Sequence, residues 1–142
     1  MKIIGLTGPS GAGKGALAAQ FAARGVPIID ADCVYHELLV PPSPCLDALA
    51  EEFGDCILTK DKTLDRAALA ALVFSDEPSA SSRRITLNRI THRYVIEKTN
   101  ELLSEYKSQG CAAAVIDAPL LIEAGMNTVC DTVIAVQCPW GL

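Results

Sequence analysis

Lys2-Ile3-Ile4-Gly5-Leu6-Thr7-Gly8-Pro9-Ser10-Gly11-Ala12-Gly13-Lys14 is the stretch on which the fold of this chain turns. A short apolar run enters a glycine-rich turn, and Gly8 to Lys14 satisfies the spacing G-x-x-x-x-G-K. A strand before that turn and a helix after it are the context in which such a motif binds phosphate. Glycines let the backbone curl so that successive N–H groups face one anion. The helix that follows adds its positive end, and the lysine adds a mobile point charge. From about Lys14 to Arg24, Leu17, Phe21 and the alanines at 18 and 22 share a helical stripe, with Gly25 where a C-terminal cap belongs. Val26 to Ile29 reads as a second strand. Strand, loop, helix, strand is a βαβ unit, which implies a parallel sheet.

Farther along, residues 31 to about 108 are patterned mainly as helix, interrupted by Pro41-Pro42-Ser43-Pro44 and by the Gly54 region. Asp65 can cap a helix from Ala67 to Phe74. A longer helix is expected from about Thr91, with Val95, Thr99, Leu102, Leu103 and Tyr106 at helical spacing, ending before Gly110. Strands resume at Ala112 to Asp117 and at Asp131 to Gln137. The fold class expected is therefore α/β: a P-loop-type parallel sheet sandwiched by helices, carrying a helical insert. Residues 1–35 and 110–142 form the phosphate-binding core of this reading, and 36–109 the insert. Fully apolar strands want layers on both faces. No helix follows the fourth strand, so the sequence reads as cut off at this point.

A second fingerprint overlaps the first. Gly11-x-Gly13-x-x-Ala16 fits G-x-G-x-x-G/A, and Asp30 and Asp32 lie near the distance expected of a ribose-binding acid. In that fold the first glycine follows its strand closely, whereas Gly11 stands five positions beyond Leu6. The dinucleotide reading also leaves Lys14 without a task. The P-loop reading uses both Gly8 and Lys14, and is preferred. It has one departure: a Ser or Thr hydroxyl normally follows the lysine to hold Mg²⁺. Gly15 and Ala16 provide none, so weakened rather than absent catalysis is expected, with Mg²⁺ carried by nucleotide phosphates.

Asp30-Ala31-Asp32 closes the second strand, at the carboxyl edge where α/β folds place ligands. A hydroxyl kinase benefits from a carboxylate that orients the acceptor and takes its proton. Both aspartates are also good helix caps. Beside a phosphate loop, Asp32 is the candidate base and Asp30 the capping or supporting acid. His36 lies one helical turn beyond Asp32. Asp117 ends the third strand, where it reads either as a Walker-B-type acid toward Mg²⁺ or substrate, or as a turn acid.

Composition narrows the classes. Half of the 142 residues are hydrophobic, as in a globular protein. A net charge of −5 gives no global pull toward nucleic acid or an anionic membrane. Met1 to Leu6 shows no basic leader segment, and no apolar run approaches the roughly 18 residues of a membrane span. A cytoplasmic location is expected. The six cysteines, 33, 45, 56, 111, 130 and 138, match no zinc spacing, and ordinary buried or half-buried thiols are the simpler reading.

With these pieces assembled, the chain resembles the dephospho-CoA kinase family over essentially its whole length. The matching segments are Gly5 through Lys14, Ile29-Asp30-Ala31-Asp32 with His36, Leu64-Asp65-Arg66 through Leu69, Val73-Phe74-Ser75 and Ile90-Thr91-His92. Asp117-Ala118-Pro119-Leu120-Leu121 with Glu123, and Cys138-Pro139, complete the set. The resemblance implies ATP-dependent phosphorylation of the ribose 3′-hydroxyl of dephospho-CoA. It implies that ATP is held by Gly8, Gly11, Ala12, Gly13, Lys14, Gly15 and Ala16, and that Asp32 acts as base beside catalytic Lys14. The insert would take the CoA substrate, with Asp32, His36, Arg66, His92 and Asp117 on the substrate side. Departures from the family are Gly15-Ala16 in place of Ser-Thr and Arg93 where a proline often stands. Family members also continue into an arginine-bearing lid, a fifth strand and a terminal helix, so poor turnover is expected of this chain. Two further readings stay open: a kinase for another nucleotide or nucleoside, and a non-catalytic ATP-binding remnant. The oligomeric state is not legible.

Overall fold

The computed structural model describes residues 1–9, 13–119, 121–122 and 124–137. Among these, β1 (Lys2–Thr7), β2 (Ile28–Asp30), β3 (Ala113–Asp117) and β4 (Thr132–Ala135) form one parallel sheet in the order β2-β3-β1-β4. Because all strands run the same way, their carboxyl ends share one edge. Register sets Leu6 and Asp30 on either side of Asp117, and Thr7 beside Ala135.

The chain divides into two compact units, Met1–Val34 with Ile96–Leu142, and Tyr35–Val95. In the first, helix α1 (Lys14–Ala23) lays Leu17, Ala18 and Phe21 against Leu6 and Val115. That is the stripe visible in the sequence, and full burial of a side chain such as Leu6 is worth about 1.5–3 kcal/mol. β3 is buried along almost all of its length, as its continuous apolar run requires. β4 is shorter than the expected Asp131–Gln137 and lies at the sheet's edge, with most of its residues exposed. Asp131 ends the preceding loop, and its carboxylate accepts the Ile3 N–H at 2.7 Å.

The second unit is helical. Its core is Leu39, Cys45, Leu49, Ile57, Leu69 and Val73. The proline-rich turn starts α3 (Pro44–Phe53), where the Ser43 hydroxyl accepts the Leu46 N–H at 2.9 Å. Asp65 caps α4 (Arg66–Val73) by accepting the Ala68 N–H at 3.0 Å, one residue earlier than the sequence suggested. The largest difference is α5, which runs from Ala80 to Ser108 rather than beginning near Thr91. Residues 80–90 show little apolar periodicity. They are anchored instead by arginines, since Arg83 Nε donates to the Leu72 carbonyl and Arg84 Nη1 to the Val73 carbonyl, both at 2.6 Å. Cations there satisfy carbonyls left unpaired where α4 ends. Residues 96–109, placed in the insert on sequence grounds, group with the first unit.

Candidate phosphate-binding site

The site is assembled at the carboxyl edge of the sheet, and its geometry begins with Gly8. That residue has φ +142°, and a Cβ built on it would run into the Val136 carbonyl oxygen. The approach is held by the Val136 N–H, which donates to the Thr7 carbonyl at 2.8 Å. A side chain at position 8 would have to push a paired backbone away, so glycine is required twice over: for conformation and for space. Gly13 closes the described part of the loop with φ +95° and serves as the N-cap of α1, its carbonyl accepting the Leu17 N–H at 3.1 Å. Gly11 and Ala12, also expected at the phosphates, lie outside the described residues.

Lys14, the first residue of α1, is turned to Asp117 at the tip of β3, and Nζ and Oδ1 form a direct ion pair. Both side chains are largely enclosed, at 13% and 11% exposure. Thus the lysine of the phosphate loop and the strand-tip acid, 103 positions apart, occupy one place. Gly15 and Ala16 follow in the first turn of α1, both exposed, and a Cβ at position 15 would meet nothing within 4 Å.

The two aspartates at the end of β2 divide their tasks. Asp30 Oδ1 accepts the N–H groups of Asp32 at 2.9 Å and Cys33 at 3.2 Å, which starts α2 (Ala31–Leu38). This is capping chemistry. Asp32 sits in the first turn of α2 with an exposed side chain. Register places Asp30 opposite Asp117, so the carboxylates of residues 30, 32 and 117 and the cation of Lys14 belong to the same edge.

The remaining candidates belong to the helical unit. His36 is exposed on α2, with its ring edge-on to Tyr35 at 5.7 Å between centroids. Arg66 is the first residue of α4, an unfavourable place for a cation near the positive end of a helix. It also bears on Tyr35, whose phenol is pushed up mainly by burial and further by the Cys45 thiol, and is pulled the other way by Arg66. His92 is half-buried in α5, and burial holds its imidazole below the usual range.

Two contributors escaped the sequence reading. Thr7 is buried, and its hydroxyl donates to the Pro119 carbonyl at 3.1 Å, which ties the end of β1 to the turn after β3. Val136 closes on Gly8 through its backbone, which no side-chain pattern could announce. Neither is a chemical group of the motif; both fix its walls.

The donor set can be tested against the ligands such a loop implies. A glycine at position 8 that admits no side chain, a helix N-terminus at Lys14 and the lysine itself are groups that fit a polyphosphate. No cluster of three or more His, Cys, Asp or Glu among the described residues is arranged to hold a metal. Mg²⁺ keeps several waters and binds through one or two carboxylates and substrate phosphates, and Asp117 is an enclosed carboxylate at this edge. Among the described residues no helix is long and apolar enough to cross a membrane.

Comparisons with known proteins agree with this architecture. The family model described as dephospho-CoA kinase matches residues 2–142. The dephospho-CoA kinase of Corynebacterium glutamicum is 42% identical over 134 residues, covering 94% of this chain and 65% of that protein. That of Methylococcus capsulatus is 42% identical over 142 residues, covering 100% and 68%. Among solved structures, TT1252 from Thermus thermophilus superposes with a TM-score of 0.72 at 30% identity, covering 97% of this chain and 66% of that one. The dephospho-CoA kinase from Campylobacter jejuni gives 0.71 at 23% identity, a likeness of fold. The chain spans about 65% of the length of the first curated relatives it matches.

Proposed function

The chain belongs to the dephospho-CoA kinase family, and on that premise we propose that it transfers the γ-phosphoryl group of ATP to the ribose 3′-hydroxyl of dephospho-CoA. The observation that carries the reading is the pairing of Lys14 with Asp117 beside Gly8, on the edge that also bears Asp32.

In this reading the loop from Gly8 to Ala16 binds the triphosphate through backbone N–H groups and the N-terminal end of α1. Lys14 neutralises charge on the outer phosphates. Mg²⁺, when bound with the nucleotide, offsets the charge that develops on the transferred group. Asp117 is the acid available toward that ion. Asp32 accepts the proton of the acceptor hydroxyl, and Asp30 holds Asp32 in position through the capping hydrogen bonds. Arg66, His36 and His92 of the helical unit are assigned to the CoA substrate. The core of this assignment is 1–34 with 96–142, and the substrate part is 35–95.

A coupled assay for ADP formation with dephospho-CoA and Mg-ATP tests the proposal. Turnover that depends on dephospho-CoA and disappears in Asp32→Ala supports it. Equal turnover with other nucleosides would favour a different acceptor. The missing hydroxyl at residues 15 and 16 favours one second reading, an ATP-binding protein without phosphoryl transfer. Normal ATP affinity with no ADP production under any acceptor would select it.

A further inference from the structure

We propose that Lys14 and Asp117 are mutually exclusive gates: while the lysine holds the carboxylate, Asp117 is closed to a divalent cation. Only a polyphosphate that draws Lys14 away opens it. The inference rests on the reading of residues 8–16 as a nucleotide phosphate loop, and adds an obligatory order to it, nucleotide before or together with metal.

Three observations carry the argument. The first is enclosure. Lys14 and Asp117 are in direct contact, and little solvent reaches either charge to take the partner's place. Stripping one partner from an enclosed pair leaves an uncompensated charge, so Lys14 leaves Asp117 only for an anion of comparable strength. The second is the missing hydroxyl. Residues 15 and 16 bring none to the metal, although the space at position 15 is open. The third is that the neighbouring acid is committed, because Asp30 already accepts two backbone N–H groups at the start of α2. Asp117 is the acid of this edge that the lysine holds, so its availability to a cation depends on where Lys14 is.

Coupling of this kind is reciprocal: whatever the lysine costs the metal, the carboxylate costs the nucleotide. The test uses the 142-residue chain and Mn²⁺ alone, followed by calorimetry or by the loss of the free-ion electron paramagnetic resonance signal. The unmodified protein should bind Mn²⁺ weakly, and Lys14→Met should bind it about tenfold or more tightly, within the usual range of site coupling. Lys14→Arg, which keeps a cation, should stay weak, and Lys14→Met with Asp117→Asn should lose the gain. In a second arm, metal-free ATP in excess EDTA should bind Asp117→Asn more tightly than the unmodified protein. Equal Mn²⁺ affinity in the unmodified protein and Lys14→Met would overturn the proposal. So would a gain that survives Asp117→Asn, or weaker metal-free ATP binding in Asp117→Asn. If no variant bound ATP while the Mn²⁺ pattern held, the exclusion would stand and the nucleotide reading would fall.

Discussion

The carboxylate of Asp30 accepts the backbone N–H of Asp32 at 2.9 Å, so one acid of the Asp-Ala-Asp segment positions the other. Cap and candidate base are thereby separated by geometry, although the two side chains are chemically alike.

That separation predicts different consequences of removing each acid. Asp32→Asn should lower turnover by about 10²–10⁴-fold, the usual contribution of a general base, while leaving ATP affinity intact. Asp30→Ala should instead cost about 1 kcal/mol of stability through the lost cap, and Asp30→Asn should recover most of it. Denaturant unfolding and the ADP assay read the two effects. A loss of turnover in Asp30→Asn equal to that in Asp32→Asn would reverse the assignment.

Glycines 8 and 13 differ in what surrounds them. Gly13 has open space and a left-handed backbone, so Gly13→Ala should cost about 1–2 kcal/mol from conformation alone. Gly8→Ala meets the Val136 carbonyl as well and should be the more destabilising of the two. Urea unfolding of both variants checks the order. An equal loss would mean that the Val136 backbone yields to the added methyl at no cost.

Positions 15 and 16 are exposed, and a Cβ at position 15 meets nothing within 4 Å. Gly15→Ser should gain a few tenths of a kcal/mol, because serine is the better helix former by roughly that amount. Combined with Ala16→Thr, it restores a hydroxyl where phosphate loops hold Mg²⁺. The pair should raise Mg²⁺-dependent turnover without changing affinity for metal-free ATP. Unchanged turnover across a Mg²⁺ titration would show that the hydroxyl is not what limits this chain.

Burial makes two groups pH-sensitive in opposite directions. The His92 imidazole is held below its usual 6.5, so the unfolded chain takes up that proton first. Its contribution to stability is therefore present above the unfolded value and is lost as pH falls through 6.5 and below. The Cys45 thiol is pushed up to about 11, so the unfolded chain releases that proton first. Stability should then decline as pH rises from about 9 toward 11, with Tyr35 adding to the decline. Unfolding free energies across pH, compared with His92→Gln and Cys45→Ala, separate the two limbs. A stability profile in His92→Gln that keeps the same acid slope would remove His92 as its source.

Much of the first unit was legible because its instructions are local. The stripe of Leu17, Ala18 and Phe21 and the apolar run ending at Asp117 each lie within one element. Asp65 announced its helix for the same reason, since a cap reaches only three residues ahead. The beginning of α5 was not legible. Residues 80–90 lack an apolar stripe, and their helix is anchored by arginines that reach back 11 positions to α4.

By itself the sequence determined the glycine-rich segment after β1, the helix behind it and the acids at the strand tips, because backbone geometry and hydrophobic period act over a few residues. Tertiary structure alone decided which of those groups meet. The strand order sets β3 between β2 and β1, and so delivers Asp117 to Lys14 and aligns it with Asp30. It also brings the Val136 backbone against Gly8. Contacts between distant segments are selected by how whole strands pack and pair, and no short window of residues contains that information.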